Sequence, residues 1–149
     1  MEESLTYLKE QFELPDVDVK SYSPLVLAYI GDGIYELVIR TAVVGQGNRQ
    51  ANALHKKTST YVKASAQAAM MEAILEDLTE EELAVYKRGR NAKTVSMAKH
   101  ATMHDYRHAT GFEALMGYLY LKKDWKRLLD LVKIGLCSVS DRSALKEEE

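Results

Sequence analysis

The chain is short of the groups that brace small secreted proteins. Of its 149 residues one is cysteine, Cys137. A single thiol cannot build a disulfide framework inside the chain, and this usage fits a reducing cytoplasm. Cys137 could serve as a nucleophile, but a small apolar filler is the commoner role for such a residue. A strong charge of either sign is also missing. With 20 basic and 22 acidic side chains, a net charge of -2 gives no global signature for nucleic acid. Any anionic partner must be met by a local patch. The opening MEESLTYLKE has neither the basic start nor the apolar stretch of a secretory leader. Only residues 24–44 approach the length of a membrane span, and Asp32, Glu36 and Arg40 interrupt them. A buried core helix suits that stretch better. No segment alternates as a strand, and no repeat, low-complexity block or dividing linker occurs. The expectation is a single all-α domain over 1–149, with about 138–149 as a flexible, solvated tail.

What is present is a series of helical patterns. Residues 3–13 suit a short amphipathic helix carrying Leu5, Leu8 and Phe12, ended by Pro15 and the residues 16–20. Ser23-Pro24 then gives a strong start signal, since serine caps free N–H groups and proline is tolerated at the first helical position. The stretch that follows, PLVLAYIGDGIYELVIRTAVV, is apolar through most of its length. Gly31 and Gly33 count against a helix by about 1 kcal/mol each, and Gly-Asp-Gly could equally make a hairpin turn. Length and period favour the helix. Helix formers run through 51–77, with Leu54, Tyr61, Val62, Ala68, Met71, Ile74 and Leu75 as inward positions. Thr79 and Glu82 make a capping box for a helix to about Arg88, which Gly89 can end in a left-handed conformation. A polar loop is expected from Arg90 to about Met103, a helix from near Asp105 to Lys123, and a last helix over about 125–136.

Asp32 lies in the middle of the 24–44 stretch, with Glu36 one turn later, and Glu113 occupies a second apolar run, FEALMGYLYL at 112–121. An ionised carboxylate in such a setting is costly unless a cation or several donors satisfy it. If the two segments pack together, their acids converge on a point that needs positive charge. A hard divalent cation takes oxygen ligands and can activate water at a phosphate. A buried arginine or a tyrosine hydroxyl would satisfy the acids too. Six bases, Lys87, Arg88, Arg90, Lys93, Lys99 and Arg107, face only Asp105 between 87 and 107, whereas 72–82 holds six acids and no base. The segment KRGRNAK, with Asn91 inside it, could track a phosphate backbone, and Lys56, Lys57 and Lys63 could extend that surface. A solvated charged face is the ordinary alternative. His100, His104 and His108 recur every four residues, a spacing that would align imidazoles on a helix and raises zinc. No HExxH accompanies them, and His100 falls in the expected loop. His55 either caps a local backbone group or helps position phosphate. Tyr29, Tyr35, Tyr118 and Tyr120 are expected in the core with satisfied hydroxyls.

Three motifs in order, LAYIGDGIYE, KRGRNAK and TGFEALMGYLYL, resemble the catalytic domain of ribonuclease III, most closely in its Mini-ribonuclease III branch, which consists of that domain alone. The resemblance spans about residues 20–137. It implies an all-α homodimer that cleaves double-stranded RNA with Mg²⁺, leaving short 3′ overhangs, in the maturation of large-subunit (23S) ribosomal RNA precursor. It sets Asp32 at the metal-site aspartate of the Gly-Asp signature and Glu113 at the metal-binding glutamate of the FEAL motif. Longer members carry further acids where this chain has Ala28 and Thr110, so Glu36 and Asp105 are the remaining acids to weigh. No residues are left for a double-stranded-RNA-binding domain, and a ribosomal-protein helper is compatible with the role.

The leading expectation is a Mg²⁺-dependent endoribonuclease of the cytoplasm, with Asp32 and Glu113 as its catalytic metal ligands. Arg88, Arg90, Asn91 and Lys93, with Lys56, Lys57 and Arg107 as weaker candidates, are the expected RNA contacts. The competing class is a non-catalytic module for structured RNA or ribosome assembly, in which the acids are structural.

Overall fold

The computed structural model describes residues 2–93 and 102–148, with side chains as far as Val139. Helices follow one another through them: α1 (Glu2–Gln11), α2 (Pro24–Gly45), α3 (Ala51–Val62), α4 (Ala64–Ile74), α5 (Glu80–Asn91), α6 (Met103–Leu121) and α7 (Trp125–Glu148). Short 3-10 turns occupy Val19–Ser21 and Leu75–Asp77. Among the described residues there is no strand, so the chain is all-α.

The helix starts obey capping chemistry. The Ser23 hydroxyl accepts from the Val26 N–H at 3.3 Å and Pro24 opens α2, so the Gly-Asp-Gly segment is helical rather than a hairpin turn. Thr79 and Glu82 form the reciprocal box at α5, with bonds of 3.2 and 2.8 Å. The Thr102 hydroxyl accepts from the Asp105 N–H at 3.0 Å and starts α6 two residues before the expected position.

The fold is arranged about α6, which packs against α2, α4, α5 and α7. A helix covered on so many sides must be apolar all round. Every residue from Ala109 to Leu119 is buried except Glu113, which is half-buried. Small residues let the neighbours come close. A Cβ on Gly31 would stand 1.7 Å from the Glu113 carbonyl oxygen, and one on Gly117 would stand 2.0 Å from that of Leu27. Helices α2 and α6 therefore touch backbone to backbone.

Several expectations give way to packing. The 51–77 stretch is two helices, broken at Lys63, where the backbone is extended at φ -68 and ψ 154. Side chains take over carbonyls at the break: the Tyr35 hydroxyl donates to Tyr61 O at 2.6 Å, and Gln67 Nε2 donates to Val62 O at 2.8 Å. The break lets α4 turn its buried face to the core, while Leu75 ends up exposed. Gly89 does not end α5. It lies inside that helix, where a Cβ would stand 2.8 Å from the Cβ of Ala114 and 2.9 Å from Cα of Gly111. Arg90 and Asn91 are consequently helical, not part of a loop, while Lys99 and His100 fall outside the described residues. Helix α7 runs on past 136 to Glu148, through a sequence with no proline or glycine after Gly135 to stop it. Cys137 is exposed rather than a core filler, and Tyr29 is 83% exposed on the outer face of α2.

Gly31→Ala or Gly117→Ala should cost about 3 kcal/mol or more, because backbone cannot move aside as a side chain would. Thermal unfolding should show a fall in Tm of roughly 10 °C for either. Gly33→Ala, whose Cβ meets nothing within 4 Å, is the control and should leave Tm nearly unchanged or raised.

Candidate active site

The α2–α6 crossing determines where the two acids stand. Gly31 lies against the backbone of Glu113, so the next residue of α2, Asp32, is close enough for its charge to act on the Glu113 carboxyl. Burial, and then the charge of Asp32, push Glu113 up to about 8. Asp32 is at the open side of the pair. Its pKa is also raised, by partial desolvation first and by Glu36 second. Glu36 itself accepts from Arg40 at 3.4 Å along the same helix. Among the described residues, no Lys, Arg or His forms an ion pair with Asp32 or Glu113. The buried-arginine alternative thus finds no partner there.

Two carboxylates forced together, one half-buried and one open to solvent, suit a hard divalent cation that keeps several waters. They do not make an all-protein cage. No group of three or more His, Cys, Asp or Glu is placed to hold a metal among the described residues. His104 and His108 accordingly gain no third ligand for zinc there. Ala28 is buried one turn before Asp32, and the Thr110 hydroxyl, one turn before Glu113, donates to the Tyr106 carbonyl at 2.9 Å. Neither position adds charge to the pair.

The expected basic residues divide into separate groups. Arg90, Asn91 and Lys93 from the end of α5 and Arg107 from the start of α6 line one cavity of about 400 Å³, which extends to Thr110. Arg88 is two residues from Arg90, roughly 200° around the helix axis, and faces elsewhere. Its guanidinium points to the Tyr22 carbonyl at 3.5 Å. Lys56 and Lys57 belong to α3, and Lys57 donates to Gln46 beside a cleft that also includes Cys137. Asp105 pairs with His104 at 3.4 Å and takes no part in the acid pair.

The sequence sets His104 and His108 one turn apart, and the structure joins them to Tyr86 and Arg90 in one cluster. The Tyr86 hydroxyl is bonded to Nδ1 of His108, His104 packs on His108 at a tilt of 42° with ring centres 4.2 Å apart, and the Arg90 guanidinium lies 5.5 Å from the Tyr86 ring centre. The signal was available as four-residue spacings, Tyr86 to Arg90 and His104 to His108, but it needed α5 to continue past Gly89.

The acid pair makes stability depend on pH. The folded chain keeps the Glu113 proton up to about 8, whereas the unfolded chain releases it near 4.5, so folding takes up a proton between those values. Stability should therefore fall as pH rises through that window. In EDTA, the Tm of Glu113→Gln should overtake that of the unaltered chain by about 5 °C on going from about pH 5 to about pH 8. Added Mg²⁺ should raise the unaltered chain at the higher pH and leave the variant unmoved. Parallel pH profiles would show that the carboxyl is not desolvated.

Comparison with known proteins identifies the family. The family model for the ribonuclease III domain matches residues 25–124, which include both acids and the α5–α6 cavity. A Mini-ribonuclease 3 from a Thermoanaerobacter species is 47% identical, over 91% of this chain and 96% of that protein. A Mini-ribonuclease 3 from Clostridium tetani is 44% identical, over 96% of this chain and 93% of its own length. A Fusobacterium nucleatum protein of known crystal structure superposes with a TM-score of 0.73 at 33% identity, over 81% of this chain and 97% of its own. The chain belongs to the ribonuclease III family, nucleases that hydrolyse the phosphodiester bonds of RNA.

Proposed function

We propose that the chain is an endoribonuclease that cuts double-stranded RNA with Mg²⁺ held by Asp32 and Glu113. The observation that carries this reading is the acid pair at the α2–α6 crossing, with Glu113 raised by burial and the charge of Asp32, and with no basic partner among the described residues. A bound Mg²⁺ would supply a nucleophile at neutral pH and positive charge for the leaving oxygen. Asp32 and Glu113 hold that cation at a fixed place, and the closely packed helix backbones keep the two carboxylates from drifting apart. Arg90, Asn91, Lys93 and Arg107 donate to phosphate oxygens along the strand, and duplex RNA is read by shape, phosphates and 2′-hydroxyls rather than by base edges.

The working unit is a homodimer in this reading. Val26, Tyr29, Leu37 and Val44 are exposed along α2 at positions that share a helix side, on the helix that carries Asp32. Such a stripe is self-complementary under a two-fold axis, and pairing would set two acid sites against the two strands of one duplex. The assigned substrate is the precursor of large-subunit (23S) ribosomal RNA, in the cytoplasm, as the resemblance to the Mini-ribonuclease III branch implies, with any ribosomal-protein helper acting on that RNA. No helix of the described residues is long and apolar enough to cross a membrane.

Asp32→Asn and Glu113→Gln should each lower cleavage of a short RNA duplex by on the order of 100-fold or more while the helical content is kept, and EDTA should abolish it. Cleavage that survives both changes would remove the acids from the reaction. Tyr29→Asp combined with Leu37→Asp should give a monomer in sedimentation; a dimer that persists would move the interface away from α2.

A further inference from the structure

The cluster joining α5 to α6 lies about one and a half helical turns before Glu113. Tyr86 is 2% exposed and its hydroxyl meets Nδ1 of His108. Burial holds that hydroxyl above its ordinary pKa, against the pull of Arg90, so it keeps a proton that it can donate to Nδ1. Burial, then His104 and Arg90, hold His108 below its usual pKa, while Asp105 and Glu72 oppose them without reversing the direction. The ring is therefore neutral at neutral pH. A neutral imidazole that accepts at Nδ1 carries its hydrogen on Nε2. With Tyr86 as the donor, His108 would present that Nε2–H.

The same tyrosine holds an arginine. The Arg90 guanidinium lies over its ring at 5.5 Å from the centroid, and Arg90 Nε donates to Asn91 Oδ1 at 3.3 Å. His104, His108, Arg90, Asn91 and Arg107 then line a cavity of about 310 Å³, which shares Arg90, Asn91 and Arg107 with the larger cavity reaching Thr110. The acid nearest this group on α6, Asp105, is already engaged with His104. Two guanidinium groups and a neutral N–H donor around one cavity match the oxygens of a phosphodiester.

We propose that this cavity seats one backbone phosphate of the RNA duplex, with His108 as a neutral Nε2–H donor beside Arg90 and Arg107, and with Tyr86 as the positioning residue for both His108 and Arg90. The assignment rests on the reading of the α5–α6 end as an RNA surface. It separates two kinds of contact. Arg90 and Arg107 release counterions when they meet the phosphate, whereas His108 adds a hydrogen bond without charge.

The test is the affinity of the full chain for a labelled RNA duplex in EDTA, measured over a range of salt. Arg90→Gln should weaken binding and reduce the slope of log affinity against log salt by about one. His108→Leu should weaken binding about tenfold with the slope unchanged, and His108→Gln, whose amide can supply an N–H near the Nε2 position, should restore most of it. Tyr86→Phe keeps the ring under Arg90 and should weaken binding several-fold, again at constant slope. With Mg²⁺ added, the same changes at 86 and 108 should raise KM and leave kcat within about twofold. Inorganic phosphate at equal ionic strength should displace the duplex no better than sulfate; displacement specific to phosphate would make the cavity a site for the free anion instead. Unaltered affinity in His108→Leu, or a slope reduced as in Arg90→Gln, would overturn the neutral-donor assignment. If Arg90→Gln is itself silent, the RNA surface lies elsewhere; if it weakens binding while the changes at 108 do nothing, only the present inference fails.

Discussion

Everything in this fold follows from how closely α2 and α6 approach. Helices held apart by large side chains would separate Asp32 from Glu113, and each acid could then be hydrated alone. Gly31 and Gly117 remove that spacing, and the backbone of one helix meets the carbonyls of the other. The result is a pair of carboxylates whose ionisation is opposed, at Glu113 by burial and the charge of Asp32, and at Asp32 by partial desolvation and the charge of Glu36. Such a pair raises the cost of the cation-free folded state. It also leaves a strong demand for positive charge at one place, which a divalent ion can supply.

The remaining bonds hold the helices that surround α6. Burial alone would raise the pKa of Glu82, but bonds from Arg127 and Thr79 outweigh it and hold that carboxyl below its usual value. Arg127 reaches both oxygens of Glu82, at 2.9 and 2.8 Å, and the Asp77 carbonyl at 2.6 Å. This ties the start of α5 to α7. With its first turn held there and Gly89 pressed on α6, α5 presents Arg90 at a defined height. On the other side, Tyr35 packs edge-on against Phe112 with ring centres 5.0 Å apart and closes the α3–α4 break with its hydroxyl. The core and the site are therefore supported by the same few polar contacts.

Much of this was legible in the residues themselves. Ser23-Pro24, the Thr79–Glu82 box and the lack of alternation are local features, and local features act the same way whatever they pack against. The two acids were conspicuous because charge inside an apolar run always needs an explanation. What escaped was set by distant partners. Lys63 carries no breaking signal; the helix stops there because Tyr35 and Gln67, remote or newly turned, accept the task of satisfying its carbonyls. Gly89 looked like a terminator because glycine often ends helices, yet here its missing side chain makes room for α6. A helix ending at Gly89 would put Arg90 and Asn91 in a loop and break the four-residue spacing from Tyr86 to Arg90. Tyr29 and Cys137 were assigned inward on residue type, and type does not say which side of a helix is covered.

Helix α6 carries both the residue proposed to grip a strand and the residue proposed to cut it. His108 and Glu113 are five positions apart on one continuous helix, which at 1.5 Å per residue separates them by about 7.5 Å along its axis. The gauge between grip and cut is thus the pitch of a buried helix. Point substitutions can weaken either end of that gauge but cannot reset it. Only an inserted or deleted residue could, and it would also rotate Glu113 by about 100° away from Asp32.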